Sequence, residues 1–193
     1  TTSWGYIGTG GVATLINVYT TTAEGVLGWN GTSPTGKTPV GYEVRKSDYQ
    51  ITGSMSVGAW VKIPSTITSW RGIISKDATL STHQSFRINY KTDGLIYFNL
   101  NGNDVASMAG LADTNWHYIV ATNNGTTANI YLDGAIKTTG SGATIADTDA
   151  VFVIGGIGTV PAGWQWVGSI DEPFITTEVL TAAQIFDMYN SGR

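Results

Sequence analysis

The sequence predicts an all-β protein, an antiparallel two-sheet sandwich of jelly-roll type with one short helix at its C-terminus. Three observations carry that prediction. Apolar residues recur in short runs, many of them alternating with period two. Glycine, asparagine or aspartate punctuates nearly every gap between runs. Only one segment has the 3.6-residue periodicity of a helix.

Taken in order, residues 1–41 are rich in glycine and threonine and hold one strand-like run, Val12–Tyr19. They read as an irregular or short-stranded lead-in to a single domain over 42–193. From there strand follows strand: Tyr49–Ile51, Met55–Ile63, Gly72–Lys76, Ser85–Tyr90, Leu95–Leu100, His117–Thr122, Ala128–Leu132, Ala150–Ile154 and Gly168–Ile175. Asp93-Gly94 and Asn124-Gly125 are turn pairs that accept positive φ, as tight hairpins require. The last segment, TAAQIFDMYNSGR, predicts the helix. Thr181 and Gln184 form a capping box, Ile185, Met188 and Tyr189 make one apolar face, and Gly192 ends it.

Composition narrows the function. Charged residues make up 12% of the chain, about half the usual share. Hydroxyl and amide side chains fill the gap, a balance common in secreted, cell-wall and virion proteins. The net charge is −4 and the ten basic residues are scattered, so no cationic surface for nucleic acid is expected. No apolar run approaches the about 18 residues that a membrane span needs, so no membrane insertion is expected. The absence of cysteine excludes disulfides and thiolate chemistry. A start at Thr1-Thr2 reads as a processed or excised piece of something longer.

Several segments, in order, carry a resemblance: SMSVGAWVKI (54–63), GIISK (72–76), FRINYKTDGLIYFNL (86–100), DTNWHYIVATNNGTTANIYLDG (113–134), VFVIGGIG (151–158), WVGSIDEPFI (166–175) and LTAAQIFDMYNSG (180–192). Together they resemble the laminin-G-like, concanavalin A-like jelly-roll domains over roughly residues 42–192. The resemblance implies the fold, which hosts lectins, adhesins, glycosidases and purely structural modules. It also implies that Trp116-His117 begins a core strand and that Asp133-Gly134 closes its hairpin. By alternation Trp116, Tyr118 and Val120 share one face and His117 lies on the other, a structural reading of that pair.

Catalytic signatures are sparse. Glycosidases on this scaffold place paired carboxylates across one bond, about 5–5.5 Å apart when they retain configuration. The chain has four glutamates, and adjacent Asp171 and Glu172 are expected to point to opposite faces, with Pro173 disfavouring a regular central strand. Calcium is the cofactor the resemblance implies, held at the sandwich rim with Asp171 as first ligand; Asp48, Asp147 and Asp149 are further loop acids.

Of seven tryptophans, Trp60, Trp116 and Trp166 fall where the resemblance places core aromatics, and Trp4, Trp29, Trp70 and Trp164 are surplus. Aromatic faces stack on the C–H faces of sugars while amides take hydroxyls, so the candidate ligand-binding residues are Trp70, His83, Asn101, Asn103 and Trp164. The reading is a non-catalytic, lectin-like module of an extracellular or virion-surface protein that recognises a glycan or cell-surface receptor. The first alternative is a structural or decoration domain of a viral particle or surface assembly, with residues 1–41 contacting neighbouring subunits. The second is a glycoside hydrolase whose carboxylates meet only in three dimensions.

Overall fold

In the computed structural model, residues 51–77, 84–146, 152–157 and 164–192 are described in full, along with the backbone of three strands nearer the N-terminus. Those three are β1 (Thr2–Thr9), β2 (Val12–Tyr19) and β3 (Leu27–Trp29). Then follow β4 (Met55–Lys62), β5 (Arg71–Asp77), β6 (Gln84–Tyr90), β7 (Leu95–Leu100), β8 (Asn103–Ala109), β9 (His117–Asn123), β10 (Thr127–Leu132), β11 (Ala135–Ser141), β12 (Phe152–Ile154) and β13 (Gly168–Thr176). One helix, α1 (Ala182–Ser191), ends the chain.

Two antiparallel sheets form the sandwich. One runs β11–β10–β9–β4–β13, the other β12–β5–β6–β7–β8. On its far side β13 also pairs with β3 and, in parallel, with β1, which in turn pairs with β2. The order follows from the turns: Gly94, Gly125 and Gly134 all adopt the positive φ that their hairpins demand. At the β9–β10 turn the Asn124 side chain accepts from the amides of Thr126 and Thr127, giving the two-residue reversal its own scaffold.

Alternation then assigns the faces. Val57, Ala59 and Val61 of β4 meet Ile74, Ile88, Ile96 and Phe98 of the opposite sheet in one core, all at most 1% exposed. The residues on the outward faces differ between the sheets. On the first sheet Trp60, Tyr118, Val120 and Tyr131 face outward into a second apolar cluster, which α1 covers with Ile185, Met188 and Tyr189. The Ser56 hydroxyl fixes the approach to that helix, accepting from the Leu180 amide and donating to the Glu178 carbonyl. On the second sheet many outward positions are polar, among them Ser75, Arg87, Asn89 and Asn99.

Four strands go beyond the sequence expectation. β1, β3, β8 and β11 have no alternating apolar run; β8 reads NDVASMA and β11 reads AIKTTGS, the latter half-buried at best. Ile51 is buried but lies outside any strand, while Tyr49 and Ala150 fall outside the described residues.

Candidate functional site

The site begins with a close backbone approach. A Cβ on Gly72 would lie 2.2 Å from the Gly156 carbonyl oxygen, so only glycine lets the 155–156 segment run against β5. There the Gly72 amide donates to the carbonyl of Trp164 at 2.9 Å, and the Ser75 hydroxyl donates to that of Gly156. Anchored in this way, Trp164 lies against Trp70, the residue just before β5. Their rings stack with centroids 4.7 Å apart and planes 10° from parallel, and both side chains are half-buried.

The Trp70 ring sits over the outward face of the second sheet. The Lys91 ammonium lies 5.1 Å from its centroid and 4.3 Å from that of Tyr97, and the Arg87 guanidinium lies 6.0 Å from the Trp70 ring. Register lines up Ser75, Arg87, Asn99 and Asp104 across four strands, with Asn89 opposite Tyr97 in the next outward row. Arg87 donates to Asp77 at 2.5 Å and to Asn89 at 3.2 Å, deep in the chain. Lys91 pairs with Asp104, which also accepts from the Asn99 amide at 3.1 Å. Asp93 accepts from the Tyr97 hydroxyl, which pushes that phenol up to about 12 and holds the Asp93 carboxyl below its ordinary range.

Of the sequence candidates, the structure thus brings Trp70 and Trp164 together. Asn101 and Asn103 lie elsewhere: register puts Trp70 at the end of the strands marked by Tyr90 and Ile96, and the asparagines at the other end, beyond Phe86 and Leu100. Asn101, at φ 51°, spends its amide donating to the Thr144 carbonyl and accepting from the Ala146 amide, so it staples a loop. Asn103 is exposed and donates to the Asn101 carbonyl. His83, Asp48, Asp147 and Asp149 lie outside the described residues. Sequence reasoning missed Lys91, Tyr97 and Asp104, because the residue just past β6 and residues of β7 and β8 come together only after the sheet is paired.

A second feature lies on the other sheet. Asp171 and Glu172 do not point to opposite faces as strict alternation requires. The register of β13 against β4 shifts between Asp171 and Phe174, Glu172 adopts φ 45°, and Pro173 is accommodated in the irregular stretch. Both carboxylates therefore border one cleft of about 530 Å³, with Trp60, Trp116, His117 and Asp133. Burial pushes the Asp171 carboxyl up against the pull of the Glu172 amide. Burial, then the Asp171 charge, pushes Glu172 up, and a hydrogen bond from the Trp60 indole opposes them.

His117 closes the cleft on one side. Its Nδ1 lies 2.8 Å from Asp133 and its Nε2 3.1 Å from Asp113, while Asp133 also accepts from the Tyr118 amide. The ring is tied between the start of β9 and the β10–β11 turn, the structural role the sequence suggests. Among the described residues no three such acids or histidines converge on a common point. At Asp171 the neighbouring carboxylate already faces an indole N–H, a donor set unlike the six to eight oxygens calcium takes.

A family model described as the concanavalin A-like lectin/glucanases superfamily matches residues 38–186. No curated protein matches the chain. Among solved structures, a native heptameric SAP-like pentraxin from Limulus polyphemus is similar at TM-score 0.59 and 15% identity, covering 80% of this chain and 78% of that one. A structure of botulinum neurotoxin type C, whose cell entry depends upon interaction with two ganglioside molecules, gives TM-score 0.54 at 19% identity over 73% of this chain and 36% of that one. A mutant Trypanosoma rangeli sialidase displaying trans-sialidase activity gives TM-score 0.56 at 13% identity over 72% of this chain. The chain spans 23% of the sialidase and about a third of the toxin chain. At these identities the likeness is one of fold.

Proposed function

The chain belongs to the concanavalin A-like lectin/glucanase superfamily, and from that premise we propose that it is a non-catalytic, lectin-like module of an extracellular or virion-surface protein that binds a glycan. The observation that carries this reading is the Trp70–Trp164 stack. A rigid indole pair beside a face of amide, hydroxyl and carboxylate groups pairs an apolar surface for sugar C–H groups with directional partners for hydroxyls. That two of the similar folds belong to a toxin whose cell entry depends on gangliosides and to a sialidase makes saccharides the first ligand class to test.

The test is capture on a glycan array by the intact chain and its Trp164→Ala variant. We expect at least about tenfold weaker capture, the loss of about 1.4 kcal/mol, with the melting temperature lowered by a few degrees at most because the ring is only half-buried. Equal capture by the variant would rule out the stack as the binding surface.

One observation favours a second reading, a glycoside hydrolase: Asp171 and Glu172 share a cleft in which burial pushes both carboxyls up from their ordinary values. Their adjacency in sequence sets them side by side rather than across a scissile bond, which is why binding is preferred. Turnover of a chromogenic glycoside that Glu172→Gln abolishes would reverse that preference.

A further inference from the structure

Resting on the glycan-binding reading, we infer that the saccharide taken by the Trp70–Trp164 platform is neutral and is held by hydroxyl groups at Asp104 and Lys91, not by charge. The charge around the rings carries the inference. Two cations, Arg87 and Lys91, approach Trp70, and each is already matched to a carboxylate of the protein: Arg87 to Asp77, with both side chains buried, and Lys91 to Asp104. A third carboxylate, Asp93, stands beside Tyr97. Among the described residues these two cations face three carboxylates, and a third cation, Arg71, is turned to the Trp70 carbonyl, so an acidic sugar would have to expel Asp104 from Lys91 and then sit near the carboxylate it displaced. Like charges at such distances cost more than a hydrogen bond returns.

The same pair suits a hydroxyl well. Asp104 and Lys91 keep 32% and 20% of their side-chain surface, so both remain within reach beside the half-buried rings. A sugar hydroxyl donates one hydrogen and accepts two, and two adjacent hydroxyls can donate to the Asp104 carboxylate while accepting from the Lys91 ammonium. Asn99 acts as a positioning residue: its Nδ2 donates to Asp104 from below and fixes the carboxylate. The side chain is itself buried, so Asn99 acts on the ligand only through Asp104. An apolar ring face at the indoles and a diol at the ion pair together describe a neutral pyranose.

The experiment uses the intact chain on an array that presents each oligosaccharide core both bare and capped with sialic acid or sulfate. Expected is capture on bare cores at least about tenfold above their capped forms, changing less than about twofold as salt rises from about 0.05 to about 0.5 M. Asp104→Asn gives the sharper sign. It keeps an acceptor for Asn99 but removes the charge, so it should weaken capture of bare cores about tenfold. Were the ligand acidic, the same change would free Lys91 and strengthen capture. Preference for capped cores, or tighter capture by Asp104→Asn, overturns the neutral-sugar inference and leaves the lectin reading intact. Silence of the folded protein across the whole array overturns the lectin reading, and this inference with it.

Discussion

Asp171 shows how a single residue can oppose the fold that holds it. Its carboxylate is partly desolvated, faces the charge of Glu172, and receives one amide hydrogen bond in return. Asparagine has nearly the same shape and still accepts from that amide. Asp171→Asn should therefore stabilise the protein at neutral pH, by less than about 1 kcal/mol because solvent screens a half-exposed group. Urea unfolding checks it, and a marked loss of stability, above all one mimicked by a chelator, would instead support calcium at Asp171. His117 has the opposite sense. Burial pulls its pKa down, but Asp133 and Asp113 outweigh that and leave it raised. A raised folded pKa means that the stabilisation is complete below the unfolded value, about 6.5, and is lost as pH rises through the folded one. Stability should thus fall across the neutral range, and His117→Gln should flatten that slope; an equally steep slope in the variant would place the titrating group elsewhere. The Trp-His pair was legible as structural from the resemblance, but alternation misplaced the ring: Trp116 lies before β9 begins, and His117 borders the same cleft as Trp116. The shared cleft of Asp171 and Glu172 was not legible, since a two-residue period cannot anticipate an irregular stretch that puts Glu172 at positive φ.

At the scale of elements, the helix was the most legible part of the chain and β8 and β11 the least. Capping residues act locally and through their own side chains, so Thr181 and Gln184 announce α1 without knowledge of what it packs on. A strand such as β8 is created by its neighbour: Asn, Asp and Ser hold little intrinsic preference for it, and pairing with β7 supplies the reason. The site shares this dependence. Two surplus tryptophans could be picked out by elimination, whereas Lys91, Tyr97 and Asp104 become neighbours only through the register of β6, β7 and β8. The helix also separates local from tertiary stabilisation. Thr181→Ala removes an end cap and should cost about 1 kcal/mol. Ile185→Ala empties a position with no exposed surface beneath α1 and should cost about 2–5 kcal/mol. Equilibrium unfolding of the two variants measures the ratio, and equal costs would mean that α1 is held by its cap rather than by the sheet.

For the whole molecule, the two outward sheet faces have been put to different uses. One is roofed by α1 over Trp60, Tyr118 and Tyr131 and contributes stability. The other keeps polar residues in register beneath half-buried tryptophans and is the face proposed above for recognition. Such a division demands that the sheets be held together without help from the recognition face, and one device for this is visible at the sandwich edge. There β11 crosses onto β8 so closely that a Cβ on Gly140 would stand 1.7 Å from the Val105 carbonyl oxygen. No side chain can be accommodated unless one backbone moves, because the obstacle is main chain rather than a flexible tip. Gly140→Ala should accordingly cost about 1–3 kcal/mol, and amide exchange should quicken first in β8 and β11, before the strands of the core. Asp104 lies next to Val105, so the loosened edge should also weaken glycan capture, although Gly140 touches no proposed ligand contact. A variant with parental stability and parental exchange would show that the edge is not what holds the sheets in place.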